Sequence, residues 1–283
     1  MNASRGAAGS APGAARPDGR KRRRRLGPGW VPSQHGAWAM LLVPFLAGAI
    51  RSHGAWIHLP MLAFWIVGYF AFNAAALWVK SGFKARYRPP VLGYGAVAAA
   101  IGVGLAAWRP DLLWWAPVFG VCMAVSLVFS WRRRERALTN DVVTILAACL
   151  FGLVTYQAGY EPGGTILAGW RAMITITVVL FAYFVGTALY VKTMIRERGR
   201  VGWKVASVAY HGAVTAALTA LVNVAAALPP GMHRRPLAVL AAIFALLTAR
   251  AWALAGRSIR PLYIGLGEIA VCAALLAVIW VWG

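Results

Sequence analysis

The chain has 283 residues, of which 60% are hydrophobic and only 13% charged. A soluble domain carries about a quarter of its residues charged, so recurring apolar stretches in this background indicate a polytopic membrane protein rather than a soluble one. The net charge of +22 would suit nucleic acid, but the basic residues sit in a tail and in loops between apolar runs. That is the placement of membrane topogenesis, and nucleic acid is set aside as a partner.

In chain order, residues 1–29 are rich in Ala, Gly, Pro and Arg without apolar periodicity and are expected to be a disordered basic tail. The run Lys21 to Arg25 would hold this tail at an anionic leaflet, and the long segment that follows lacks the cleavage site of a signal peptide. Residues 30–283 then form one transmembrane domain with nine apolar segments, at 36–51, 59–79, 91–108, 112–130, 141–158, 171–191, 205–228, 237–256 and 262–282. Lipid offers no partner for free backbone groups, so each must be helical and the fold class is an all-α bundle. The first, third and fifth segments need their flanks to span. With the N-terminus in the cytoplasm, 23 of the 29 Lys and Arg fall in inside segments, five fall outside and Arg250 alone lies within a helix. This asymmetry places the C-terminus outside.

The tetrapeptide His-Gly-Ala-Trp occurs twice, at His35 and at His53, eighteen residues apart. Five helical turns separate the two, roughly 27 Å of rise, so they mark opposite ends of the first helix and cannot share a ligand. Gln34 and His35 fall at the cytoplasmic end and are candidate site residues. Trp38 and Trp56 read as interfacial anchors.

Polar groups inside helices are costly in lipid and therefore informative. Asn73, His211, Arg250 and Glu268 each lie seven residues from a cytoplasmic boundary, roughly 10 Å deep at 1.5 Å per residue. They are expected to share one layer and to line a polar cavity open to the cytoplasm. Arg250 and Glu268, at matching depth on adjacent helices, are expected to form an ion pair, either structural or lining that cavity. For His211 a structural hydrogen bond competes with a ligand role.

Above that layer, "VKSGFKARYRPP" (79–90), "WRRRERALTND" (131–141) and "YVKTMIRERGRVGWK" (190–204) concentrate thirteen basic residues. Arg offers bidentate contacts to phosphate and Lys a point charge, which suits an amphiphile with an anionic head. Topogenesis and attraction to anionic lipid explain much of the same charge. Glu135 and Glu197 are each set between arginines. Asn140 and Asp141 open the fifth segment, where capping competes with function. The seven acids show no metal-ligand spacing, so no metal or cofactor site is read. The three cysteines lie inside apolar runs as small hydrophobes. No nucleophile arrangement is evident.

"QHGAWAM" at Gln34 to Met40, continued by "LLVPFLAG" at Leu41 to Gly48, together with "RERALTND" and "LYVKTMIRERG", resembles the YwiC-like family of bacterial membrane proteins over residues 32 to about 282. That resemblance implies a bacterial cytoplasmic membrane and brings no activity. A remoter resemblance is to UbiA-type intramembrane prenyltransferases, carried by Pro44 and Gly48 in the first helix, by Asn73 followed by "ARYRPP", and by "GWK" at 202–204. It implies a UbiA-like arrangement of nine helices. Where those enzymes carry the aspartates of the first motif this chain has Leu77 and Ser81, and the second acidic motif is replaced by Lys192, Met194, Arg196 and Glu197. A diphosphate held through Mg²⁺ is therefore not expected.

The functional expectation is a phospholipid or isoprenoid ligand with an anionic head. Arg86, Arg88, Lys192, Arg196 and Arg198 would hold the head, while Asn73 and His211 orient the bound group. Asn140, Asp141 and Glu197 are further ligand candidates. A transporter and a non-catalytic scaffold or assembly factor are the competing readings. A single-faced polar layer and the lack of an inverted repeat count against the transporter.

Overall fold

The computed structural model describes residues 27–32, 37–160, 167–224 and 234–282. Residues 1–26 of the tail, and Gln34 and His35, lie outside the described residues. The described residues form nine α-helices and no strand: α1 Ala37–Arg51, α2 His58–Lys80, α3 Arg88–Trp108, α4 Ala116–Trp131, α5 Leu138–Ala158, α6 Leu167–Val191, α7 Val201–Asn223, α8 Arg234–Leu254 and α9 Pro261–Trp282. Eight are long and apolar enough to cross a membrane, and α1, at 15 residues with Pro44 inside it, is the short one.

Several boundaries differ from the apolar runs because polar flanks complete the helices. Pro89 and Pro90 stand in the first turn of α3, where their missing N–H groups cost nothing, so the helix starts at Arg88 rather than at residue 91. α5 starts at Leu138 and takes in Asn140 and Asp141. α7 stops at Asn223 instead of 228, and α8 takes in Arg234 and Arg235, which had been placed in an outer loop. α6 does not end in a loop but tightens into a single π-turn at Lys192–Arg196.

α1, α5 and α6 pack together at the centre, with α2, α3 and α4 on one side and α7, α8 and α9 on the other. α6 is the most enclosed helix, and its Met173, Ile176, Leu180 and Phe184 meet Ile145 and Cys149 of α5 and Leu240, Phe244 and Leu275 of α8 and α9. Lipid tails are as apolar as these side chains, so close packing rather than water exclusion holds such helices together. The α1–α5 crossing shows how. Gly48 faces the Gly152 carbonyl, and a Cβ at Gly152 would lie 2.7 Å from the Pro44 carbonyl oxygen, so only glycines let the two backbones approach.

Candidate functional site

Lys80 at the end of α2 forms an ion pair with Glu135, and Asn140 donates to the Glu135 carbonyl at 2.9 Å. From the other side the buried Lys192 ammonium bonds the Arg136 carbonyl at 2.6 Å and pairs with Asp141 at 2.9 Å. The loop at 132–137 is therefore clamped by two lysines from different helix ends. Arg198 extends the connection, with its Nη1 3.4 Å from Ser258 Oγ in the loop before α9. The N-terminal residues reach the same face: Tyr94 donates to the Trp30 carbonyl at 2.7 Å, and their rings meet edge to face. One end of the bundle is thus a connected basic face.

Its acids are consumed internally. Glu135 pairs with Lys80, Asp141 with Lys192, and Glu197 with Arg200 at 2.6 Å. Burial disfavours ionised Glu135, but the hydrogen bond and charge of Lys80 outweigh that and hold its carboxyl below the usual range. Lys192, Asn140, Asp141 and Glu197 have contacts within the protein. The exposed arginines do not: Arg86, Arg88, Arg132, Arg133, Arg134 and Arg196 form no ion pair among the described residues. Arg86 only lies over the Tyr87 ring at 5.0 Å. Arg133 sits at φ +55° just past α4, where glycine is the ordinary residue.

The expected layer of four polar groups is divided between the two sides of the bundle, because α2 and α7 to α9 flank opposite faces of the central helices. Asn73 stands alone on α2, its Nδ2 buried without a partner. The other three gather around α6. Arg250 Nη1 approaches Glu268 Oε1 at 2.8 Å, as an ion pair without the alignment of a hydrogen bond. Tyr183 and Thr187, one turn apart on α6, donate to Glu268 Oε2 at 2.8 and 2.7 Å. The guanidinium lies over the Tyr190 ring at 4.1 Å. His211 Nδ1 is 2.7 Å from the Ser207 carbonyl, and its ring lies against Gly186, where a Cβ would come within 2.8 Å of Nε2. The expected polar cavity is not found here. The void between α6, α8 and α9 is about 10 Å³, lined by Ile176, Val179, Leu180, Leu240, Leu275 and Ile279.

At the opposite end lies a network that the sequence did not disclose. Arg109 is buried and spends all five N–H groups. Nε and Nη2 meet Asp111 at 2.8 Å each, Nη1 meets the Ala158 and Tyr160 carbonyls at 2.6 and 2.8 Å, and Nη2 also meets the Gln157 carbonyl at 3.3 Å. It caps the C-terminal end of α5, where helix carbonyls lack partners and the helix dipole favours a cation. Gln157 donates to Asp111 and accepts from Trp115 Nε1, each at 2.9 Å. Beside it His58 Nδ1 accepts the Ala55 N–H at 2.9 Å, which leaves Nε2–H to donate to the Thr155 carbonyl at 3.0 Å. Counting Arg109 as a loop cation concealed this. The spacing Arg109-x-Asp111 was the available signal.

The sequence model of the YwiC-like protein family matches residues 31–156, from the start of the chain's membrane domain almost to the end of α5. Uncharacterized protein YwiC of Bacillus subtilis is 33% identical over 181 residues, 64% of this chain and 73% of that protein. The chain belongs to the YwiC-like family. An uncharacterized protein of Haemophilus influenzae is 28% identical over 181 residues, 64% of this chain and 74% of its own length. No solved structure matches the chain. In this YwiC-like protein the matched stretch carries Arg109, Asp111, His58 and the loops at 81–87 and 132–137, whereas Arg250 and Glu268 lie beyond it.

Proposed function

We propose that this multi-pass membrane protein binds an anionic amphiphile, a phospholipid or an isoprenyl phosphate, by its head at the basic face. We place that face on the cytoplasmic side of a bacterial plasma membrane, with the N-terminus inside and the C-terminus outside, in line with the charge asymmetry. One observation carries the reading. The loops of the face are joined to each other by Lys80 and Lys192, which uses up their acids, while Arg86, Arg88, Arg132, Arg133, Arg134 and Arg196 remain exposed with no ion pair among the described residues. Guanidinium groups placed on a braced scaffold lose less freedom when a phosphate engages them. The head therefore rests on the face, and the polar cluster between α6 and α9 is not part of this site.

The test uses the purified full chain in nanodiscs of phosphatidylcholine, doped with either phosphatidylglycerol or a polyprenyl phosphate and followed by native mass spectrometry. The proposal expects one doped lipid to be retained, and the variant R86A/R196A/R198A to lose most of it without a change in melting temperature. Equal retention by the variant, or no enrichment of either lipid over phosphatidylcholine, overturns it.

A further inference from the structure

We propose that Arg250 is the receptor of a second, buried oxyanion site between α6, α7, α8 and α9, whose ligand is a carboxylate or phosphate monoanion and whose occupancy is linked to protonation of Glu268. The argument starts from how the guanidinium is used. Its face rests on Tyr190 and its Nη1 points to Glu268. Nε and Nη2 are buried and have no partner. Those two N–H groups form the edge with which arginine grips a carboxylate or phosphate in bidentate fashion. A buried donor with no acceptor costs about 1–3 kcal/mol, and here two stand on one edge. A third polar atom without a partner, Ser207 Oγ, belongs to a residue only 1% exposed on α7, one turn before His211. Thr215 and Thr248, bonded at 3.1 Å, join α7 to α8 on the far side of the same cluster.

The charge balance decides how such a site can fill. Arg250 and Glu268 together are neutral. An anion added to them leaves one uncompensated negative charge inside a membrane, which is costly. A proton taken from water removes that charge. Glu268 Oε2 already accepts from Tyr183 and Thr187, whereas Oε1 accepts no aligned hydrogen bond, so Oε1 is the atom that gains the proton. The carboxyl becomes neutral, its grip on Nη1 weakens, and Arg250 turns to the incoming oxyanion. The titratable and charged groups facing Glu268 are Tyr183 and Tyr190 from α6, Tyr210 and His211 from α7, Arg250 from α8 and Cys272 from α9 itself. α1, which also packs on α9, brings only Arg51, at its other end. The site lies about seven residues past the start of α9 at Pro261, roughly 10 Å below the basic face. The same oxyanion chemistry can arrive on a small solute or on a lipid head.

The experiment is calorimetric titration of the full chain in phosphatidylcholine nanodiscs with acetate and with dimethyl phosphate, both anionic throughout, from about pH 8 to about pH 6, with phosphatidic acid doped into the disc as a separate arm. Binding of the small anions assigns a solute ligand, and binding of phosphatidic acid alone assigns a lipid head. The affinity of the wild type should rise about tenfold per pH unit as pH falls, the signature of one linked proton. E268Q keeps acceptor capacity for Tyr183 and Thr187 and removes the charge. It should bind about tenfold more tightly near pH 8 and lose the pH dependence. R250K, which keeps the charge and loses the fork, should bind at least about tenfold more weakly. E268Q weakened like R250K, a pH-independent wild type, or folded wild type that binds none of the three probes overturns the proposal. R86A/R196A/R198A leaves these titrations unchanged, so the basic-face reading and this one fail separately.

Discussion

Arg109 and Arg250 are both buried, both paired with a carboxylate and both inside a membrane bundle, yet they are used differently. Arg109 commits every N–H to an acceptor and carries its partner Asp111 two residues away on its own segment. Arg250 commits one nitrogen, leaves two without partners, and meets an acid from another helix. A fully satisfied buried ion network fixes geometry, and a partly satisfied one keeps an alternative within reach. The first holds three segments at one end of the bundle. The second has unspent capacity in the lobe where α7, α8 and α9 lie against α6.

The largest expected effect tests the satisfied member. R109M strands Asp111 and strips the α5 carbonyls of their cap, so it should cost on the order of 3–5 kcal/mol, read as a collapse of the melting temperature in detergent. Next come the paired neutralisations, which set the two arginines against each other. R250M/E268Q removes both charges and should stay within about 1 kcal/mol of wild type. R109M/D111N should still lose about 2 kcal/mol, because the Ala158, Tyr160 and Gln157 carbonyls remain without donors. Equal costs for the two doubles would erase the distinction between them. H58A, which removes the partner of the Ala55 N–H and the Thr155 carbonyl next to the Arg109 clamp, should cost about 1–2 kcal/mol by the same measurement.

The smallest effect belongs to the surface. Glu135 has a lowered carboxyl pKa in the folded state, so its contribution is present above the unfolded value and is lost as pH falls through the folded one. Lys80 is 41% exposed, which limits the pair to roughly 0.5 kcal/mol. The difference in melting temperature between wild type and E135Q should shrink to nothing between about pH 6 and about pH 3.

The helices were legible because lipid imposes one periodicity-independent rule: a long apolar run must be helical. Arg250 and Glu268 were legible as a pair because charge inside an apolar run has few ways to exist and both lay at one depth. The outer clamp was not legible. Arg109 lies at an apolar boundary, where a cation ordinarily faces water, and its acceptors are backbone carbonyls nearly fifty residues on, which no side-chain pattern marks. Lys192 and Asp141 were read as ligands for a head group because charge near a membrane surface does not say whether it faces outward. The π-turn turns Lys192 inward to meet Asp141, and a plain loop in its place would give no such direction. Asn73 was grouped with His211 by depth alone, and depth does not fix which side of a bundle a helix occupies.

That π-turn also bears on how the chain tolerates changes of length. The Glu197 N–H reaches back five residues to the Lys192 carbonyl at 2.8 Å, one residue more than an α-helical turn holds. The end of α6 therefore contains a single surplus residue, absorbed without disturbing the span before it. A one-residue deletion between Lys192 and Arg196 would rewind the turn as ordinary α-helix and rotate everything after it by about 100°. Arg198 would swing away from Ser258, and the loop into α7 would lose its register against the loop into α9. Homologues of different length should place their insertions and deletions elsewhere, or change both loops together.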